Sequence, residues 1–283
     1  PQPLYPRANH GDIVEWRQHN SLGHFAADQF DHGQLPVEVG LHVHLVKFDP
    51  LAADGSSTGW NYLSGASCRD AVGADGLGEL RAASLHRWVV DEEFGPCFFH
   101  DHLLANFRQK HGLFSALIAE PHGAQWTRVD DQSAIAWGDP QAVVLPPVAS
   151  GLPPYREVCL GICDFVALLD VGGRALNPPS NLSSDDDPGA MAVNYRSAPL
   201  TFRGRDPSQW FSNSARSRPN LAGVRGEPDT PLVQTYPGER LRIRLVQGSH
   251  EEQHGFALHG MRWRRDWGHP GSPFANQQTL GIS

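Results

Sequence analysis

The sequence predicts an all-β protein made of two strand-rich units in tandem, and three observations point that way. Glycine (29) and proline (23) make up about 18% of the 283 residues, above the roughly 12% of average proteins, while only 19% are charged. Short apolar runs alternate with turn residues along the chain, the period-2 pattern of half-buried strands. The same grammar also occurs twice: a Gly-acidic turn, an alternating strand, then a histidine motif. A chain of this length can bury a core in each of two units.

Taken in order, Gly11-Asp12 reads as a turn and Ile13–Arg17 as the β-prone run after it. Val37–Val46 alternates, with His42 and His44 on one face and Val43 and Leu45 on the other. Asp54–Gly59 reads as an exposed loop, and Leu85–Val90 as a strand ahead of an acidic turn at Asp91-Glu92-Glu93. Cys97–His102 is strand-like, Leu103–Lys110 suits a short helix, and Gly112–Glu120 closes the first unit. The Pro/Gly-rich stretch around Pro146-Pro147 and Pro153-Pro154 reads as a linker. The expected division is therefore a domain at 1–145, a linker at 146–155 and a second domain at 156–283.

The second unit opens with the strand Glu157–Phe165, passes through a polar loop at Asn177–Pro188, and contains the cleanest alternation of the chain at Gly238–Val246. It ends soon after its histidine motif, whereas the first unit runs on from His44 to Glu120 before closing. A sheet left there would carry unpaired edges, a liability that proteins avoid. The second domain is therefore expected to be incomplete, with further polypeptide finishing it.

A net charge of −8 argues against nucleic acid as a partner, because phosphate binding needs clustered cations. No run of 18 apolar residues exists, so no membrane span is expected. Cys68, Cys97, Cys159 and Cys163 form no C-x-x-C pair. Four cysteines allow three full disulfide pairings, and buried free thiols are the plainer reading.

Histidine is the outlier, with fifteen residues, several in clusters. His42-Val43-His44 and His100-Asp101-His102 matter most. On a strand, residues i and i+2 point to the same side with Cα atoms roughly 6.6 Å apart. Two imidazoles so spaced do not easily share one metal, but each can bind one of two neighbouring metals. Two adjacent strands, each with such a pair, would set four imidazoles around a small multinuclear site. Imidazole suits copper, zinc, iron and nickel, and the first pair carries no alternating Glu or Asp, which argues against a zinc hydrolase. Asp49, Asp101 and Asn106 are candidates to orient the rings through hydrogen bonds. His10, His19, His24, His32, His86, His122 and His269 lack ligand spacing and read as surface or loop residues; Trp60, Trp88 and Trp263 read as packing residues.

Leu41–Asp49, followed by Asp54-Gly55 and Gly59–Tyr62, resembles the first copper motif of large bacterial multicopper oxidases. Phe98–His102, followed by His111–Phe114 and Ala116–Pro121, is similar to their second, and the likeness is greatest to multidomain members that include manganese oxidases. The resemblance implies cupredoxin-like Greek-key β-sandwich domains and a trinuclear copper cluster. By that likeness His42 would ligate the type 2 copper, and His44, His100 and His102 the type 3 pair. His111 is expected near the site without ligating.

A third cluster, His250 to Trp263, resembles the His-Leu-His-Gly motif of a later copper-binding half, with Ala257 in place of one expected histidine. His254 and His259 are its candidate ligands. Electron entry in the family uses a type 1 copper bound by a cysteine flanked by histidines, and no His-Cys-His occurs. That copper is expected outside this chain, on further domains or a partner chain. The implied activity is one-electron oxidation of a metal ion such as Mn(II), or of a phenol, with reduction of O2 to water. The implied location is secreted or cell envelope. Rival readings are a non-catalytic copper-binding or structural cupredoxin subunit and a copper nitrite reductase-like protein.

Overall fold

The computed structural model describes residues 3–21, 38–59, 62–66, 82–110, 112–135, 138–163, 191–195, 206–209, 233, 235–248, 253–266 and 269–280. The first part contains β1 (Arg7–Asn9), β2 (Ile13–His19), β3 (His42–Val43), β4 (Ser57–Gly59), β5 (Tyr62–Leu63), β6 (Ala83–Val89) and β7 (Gly95–His100). After β7 come the short helix α1 (Ala105–Lys110), β8 (Phe114–Glu120), β9 (Gln125–Thr127) and β10 (Gln141–Leu145). Then follow β11 (Tyr155–Cys163), β12 (Ala192–Val193), β13 (Leu241–Gln247), β14 (His254–Ala257), β15 (Trp263–Arg264), β16 (Phe274–Ala275) and β17 (Gln277–Leu280). The architecture is all-β, consistent with cupredoxin-like sandwich domains. Among the described residues no helix is long and apolar enough to cross a membrane.

Sequence alternation explains the layering. One sheet runs in the order β1-β8-β7-β3, with β1 parallel to β8 and the other pairs antiparallel. Cys97 and Phe99 of β7, with Leu117 and Ala119 of β8, face a core shared with Trp88, Val43 and Val90, against which Val14 and Trp16 pack. Phe98 of β7, with Phe114, Ala116 and Ile118 of β8, faces the opposite way onto Cys159, Cys163 and Val246. Successive side chains of a strand point to opposite faces, so this sheet is the middle layer. It lies between the β2–β6 pair and the sheet containing β11 and β13. All seven residues of β8 are consequently buried, and each large apolar side chain so buried contributes about 1.5–3 kcal/mol.

The second sheet runs β9-β10-β11-β12, with β13 parallel to β11 from Arg156↔Leu241 to Ile162↔Gln247. Of the stretch 146–155 read above as a linker, residue 155 begins β11 and the rest joins two antiparallel neighbours: β10 and β11 pair from Gln141↔Val158 to Val144↔Tyr155. The connection carries a 3-10 turn at Val148–Ser150 that ends on Gly151 at φ 68°, a left-handed position suited to glycine. Its prolines thus shape a turn within one sheet. The polar loop at 177–188 lies outside the described residues.

Several strands differ in extent from the sequence pattern. Val37–Val46 was expected as one strand, yet within it β3 covers two residues and Val39 forms an isolated bridge to Ala66. Lys47 then bridges Val89 of β6, so this segment crosses from the middle sheet to the β2–β6 pair. The crossing begins at a tight turn around Leu45, where the Val46 N–H donates to the His44 carbonyl at 2.9 Å. Leu45 sits at φ 71°, a backbone state costing on the order of 1–3 kcal/mol for a residue with a side chain. Cys97, Cys159 and Cys163 are buried free thiols; Cys68 lies outside the described residues.

An ionic cluster ties the middle sheet to the second. Arg7 contacts Glu120 at 2.5 Å and also Glu157, and both glutamates are fully buried. Arg244 donates to Glu157 at 2.6 Å, and the Tyr155 hydroxyl donates to Glu120 at 2.9 Å. Burial and the neighbouring Glu157 push the Glu120 carboxyl well above the usual range. Burial opposes ionisation of Glu157 too, but Arg244 and Arg7 overcome it and hold that carboxyl low. One glutamate keeps its proton while the other stays charged.

Two outcomes follow for stability. Arg7→Ala removes one of the two guanidiniums that hold the buried Glu157 carboxylate and should cost about 3–5 kcal/mol in denaturant unfolding. A raised carboxyl pKa means the folded state holds a proton that the unfolded chain releases, so stability should fall as pH rises from about 5 to about 8. Glu120→Gln keeps the hydrogen-bonding shape without the proton and should flatten that decline. The checks are urea midpoints across this pH range.

Candidate metal centre

Register brings the two His-x-His motifs together. β3 pairs antiparallel with β7, His42 opposite His100 and Val43 opposite Phe99. Val43 and Phe99 enter the core, so the histidines beside them project from the other face. The ladder continues one step, with the His44 N–H donating to the Phe98 carbonyl at 2.8 Å, before the turn at Leu45 takes the chain away. His102 follows β7 where the strand ends.

The four rings form one cluster. His42 lies 4.1 Å from His102, 5.1 Å from His44 and 5.5 Å from His100, centroid to centroid. His44 and His100 are 5.2 Å apart, and their Nε2 atoms only 3.1 Å apart. Phe98 stacks on His100 at 5.0 Å, and Phe48 meets His42 edge-on at 5.5 Å. Two overlapping groups have ligand atoms all within 4.8 Å of one another: His42, His44 and His100, and His42, Asp54 and His102.

Hydrogen bonds fix how the rings face. His42 Nδ1 lies 3.0 Å from the Asp54 carbonyl, and His102 Nδ1 lies 2.9 Å from the Asp54 carboxylate. His100 Nδ1 lies 2.7 Å from the Asp101 carbonyl. A ring donating through Nδ1 keeps the lone pair on Nε2 for a metal. Burial lowers the proton affinity of His42 and His44, reinforced by the neighbouring imidazoles. For His100, burial and then the surrounding rings outweigh the Asp101 carbonyl and bring the pKa down to about 4. Partial burial works against ionising Asp54, but the Ser56 hydroxyl and the His102 and His42 rings prevail and hold its carboxyl below the usual range. His42, His44 and His100 are therefore held neutral beside a charged carboxylate.

Asp54 is the residue the sequence reading passed over, as the first position of a supposed exposed loop. It is partly buried, held there by a close backbone approach. Gly55 sits at φ 82°, and a Cβ on Gly40 would lie 1.7 Å from the Gly55 carbonyl oxygen. The Gly55 N–H donates to Ser64 Oγ at 2.8 Å. The Asp54-Gly55 dipeptide was the available signal: glycine is the residue that tolerates such an approach.

The other orienting candidates fall differently. Asp49 caps its own turn, accepting from the Leu51 and Ala52 N–H groups at 2.9 and 3.3 Å. Asp101 supports the site through its backbone carbonyl, while its buried carboxyl accepts from the Gly40 and Leu104 N–H groups at 2.7 and 2.8 Å. The Gln109 side-chain amide on α1, absent from the reading above, lies 2.9 Å from His100 Nδ1. The side chain of Asn106, and His111 altogether, lie outside the described residues. His86 is fully buried, contrary to the surface expectation, and contacts Ser84 Oγ at 2.9 Å. Strand β6 carries it inward beside Trp88, which stacks on Trp16 at 5.6 Å.

His254 and His259 belong to neither ligand group. His254 begins β14, paired with β17, and His259 is exposed in the turn after it. His250 lies outside the described residues.

The class defined so far is an all-β protein with a four-histidine, one-carboxylate cluster at a sheet edge. No family model and no curated protein matches the chain. Among solved structures it is similar to a multi-copper oxidase from Pseudomonas thermotolerans, at 16% identity over 99% of this chain and 46% of that one, with a TM-score of 0.46. The chain thus spans about half the length of that protein. No function follows from so remote a likeness, and the chemistry is read from the side chains.

Because the Asp54 carboxylate lies 2.9 Å from His102 Nδ1 and 3.3 Å from His42 Nδ1, Asp54→Ala should weaken metal binding about 10–100-fold, the usual effect of removing such a partner. Titration with Cu(II) followed by calorimetry measures it. Asp49→Ala, which alters only a nearby turn, should bind as the unaltered chain does.

Proposed function

We propose that this chain is the copper-binding front part of a multicopper oxidase, with His42, His44, His100 and His102 as copper ligands. The observation that carries this reading is the 3.1 Å approach of His44 Nε2 and His100 Nε2, with His100 donating through Nδ1 to Asp101. Two imidazole nitrogens on one metal, at bonds of about 2.0–2.1 Å and tetrahedral angles, stand roughly 3.3 Å apart. The donor set fits copper in kind: imidazoles, no described thiolate, and Asp54 holding His42 by its carbonyl and His102 by its carboxylate at their rear nitrogens.

Bound copper would supply one-electron redox chemistry and a place for O2 to be reduced. The chain's own residues do the rest. Asp101 and Asp54 hold the rings in one tautomer and angle. Phe98 and Phe48 shield the ring faces. Asp54, charged and bonded to His42 and His102, keeps a proton acceptor at the cluster's edge. Assignment of His42 to a type 2 copper and of the other three to a type 3 pair follows the family pattern and belongs to this proposal, as do Mn(II) or a phenol as reductant. So does placement of the type 1 copper, and of the partners for His254 and His259, on polypeptide beyond this chain.

One observation favours a second reading, a copper-binding cupredoxin subunit without turnover. Cys97 and Cys159 are fully buried, and burial pushes the Cys97 thiol up to about 12 and Cys159 higher still. Neither presents the thiolate that an electron-accepting copper site requires.

Metal analysis after copper loading separates the readings: more than one copper per chain for a multinuclear centre, one or none for a binding module. His44→Ala and His100→Ala, each removing half of the 3.1 Å pair, should each lower the copper content, and unchanged content in both would remove the assignment. Oxygen consumption with Mn(II) or a phenol by the copper-loaded full-length protein tests turnover.

A further inference from the structure

Away from the histidines, a cavity of about 550 Å³ opens beside β13, lined by Tyr155, Arg240, Leu241, Arg242, Arg264, Pro270 and Phe274. That volume falls in the range of small-molecule sites, roughly 300–1,000 Å³. Its chemistry departs from that of the whole chain. Three guanidinium groups line one concavity in a protein of net charge −8. Glu93, which pairs with Arg242 at 3.4 Å, and Glu239, next to Arg240 in the chain and paired with Arg156 at 2.9 Å, are already engaged.

Arg240 and Arg264 make no ion pair among the described residues, and both are exposed. Arg264 is aimed by a hydrogen bond from its Nη1 to the Pro270 carbonyl. Phe274, directly opposite Arg264 in the β15–β16 pair, is 55% exposed. The Arg264 and Arg262 guanidiniums lie 5.2 and 5.9 Å from its ring centre. Also in the lining, the Arg242 guanidinium sits over Tyr155, 3.7 Å from the ring centre, a cationic group backed by an aromatic ring. Guanidinium forks pair with carboxylates through two parallel hydrogen bonds and stack on flat rings. An exposed phenylalanine between such forks is a surface for another aromatic ring.

We propose that this cavity binds a small aromatic carboxylate, its charge held by Arg240 and Arg264 and its ring laid against Phe274 and the Arg242–Tyr155 stack. The site is independent of the copper reading: none of its lining residues belongs to the histidine cluster.

The test uses the full chain freed of metal by dialysis, so that no carboxylate can bind through copper, with benzene-1,2-dicarboxylate as the probe and calorimetry as the readout. Saturable binding is expected, weakening as salt is raised. Arg240→Gln and Arg264→Gln should each lower affinity roughly tenfold, the loss of one charge-assisted contact. Phe274→Ala should weaken the aromatic probe while leaving sulfate binding unchanged. Arg240 is exposed, so its variant should fold normally and keeps the test decisive if the others do not fold. The proposal is overturned if the dicarboxylate shows no saturable binding, if Arg240→Gln binds it as the unaltered chain does, or if sulfate binds as tightly.

Discussion

His42 and His100 are register partners across β3 and β7, and the metal centre depends on that pairing. Side chains on a strand alternate with period 2, so a slip of β3 by one residue would turn Val43 out to the site and His42 and His44 into the core. Burying two imidazoles without their partners would cost hydrogen bonds, and exposing Val43 would lose about 1.5–3 kcal/mol. The hydrophobic core under the strands thus sets the positions of polar atoms above them. Only two residues of β3 are needed, because the core fixes Val43 and the turn at Leu45 redirects the chain at once.

That register is held by a sheet with no free face. β7 and β8 are packed on one side by Trp88 and its neighbours and on the other by Cys159, Cys163 and Val246. Interiors of this kind are close-packed and respond to displacement as solids do. The Arg7–Glu120–Glu157–Arg244 cluster adds direction to what apolar contact leaves unspecified, since each glutamate has its partners at defined positions. Such clusters contribute little net stability once desolvation is counted. Their effect is to penalise any other alignment of β1, β8, β11 and β13, because each alternative leaves a buried charge alone.

How much of this was legible in the sequence depended on whether the cause was local. The all-β class and the approximate positions of β2, β6, β7, β8, β11 and β13 follow from alternation within a few residues, and the two histidine pairs stand out by spacing. Pairing is a different matter. The stretch around Pro146 and Pro153 has the composition of a linker, but the same composition makes a hairpin connection, and only the ladder between β10 and β11 tells them apart. Asp54 looked like part of a loop because its role arises from Gly40 and Gly55 meeting across space. His86 looked exposed because a lone histidine carries no mark of which side of its strand is buried. Asp49 and Asp101 were sensible orienting candidates by type, yet one caps a turn and the other acts through its carbonyl.

The same strand also shows how burial selects a chemistry. Cys97 and His100 are three residues apart on β7, and both are buried. Loss of water disfavours the charged form of each, which carries the thiol up to about 12 and the imidazole down to about 4. At neutral pH both are uncharged, but the consequences oppose each other. The uncharged imidazole is the form that binds metal, whereas the uncharged thiol is not. One physical term therefore makes the histidines ready ligands and the cysteine part of the core. A centre built this way favours metals that accept nitrogen ligands, and any thiolate-dependent electron port must be built where water or a cation lowers the thiol's pKa. At Cys97 and Cys159 burial outweighs the nearby Arg244 and Arg7 guanidiniums, and both thiols stay protonated.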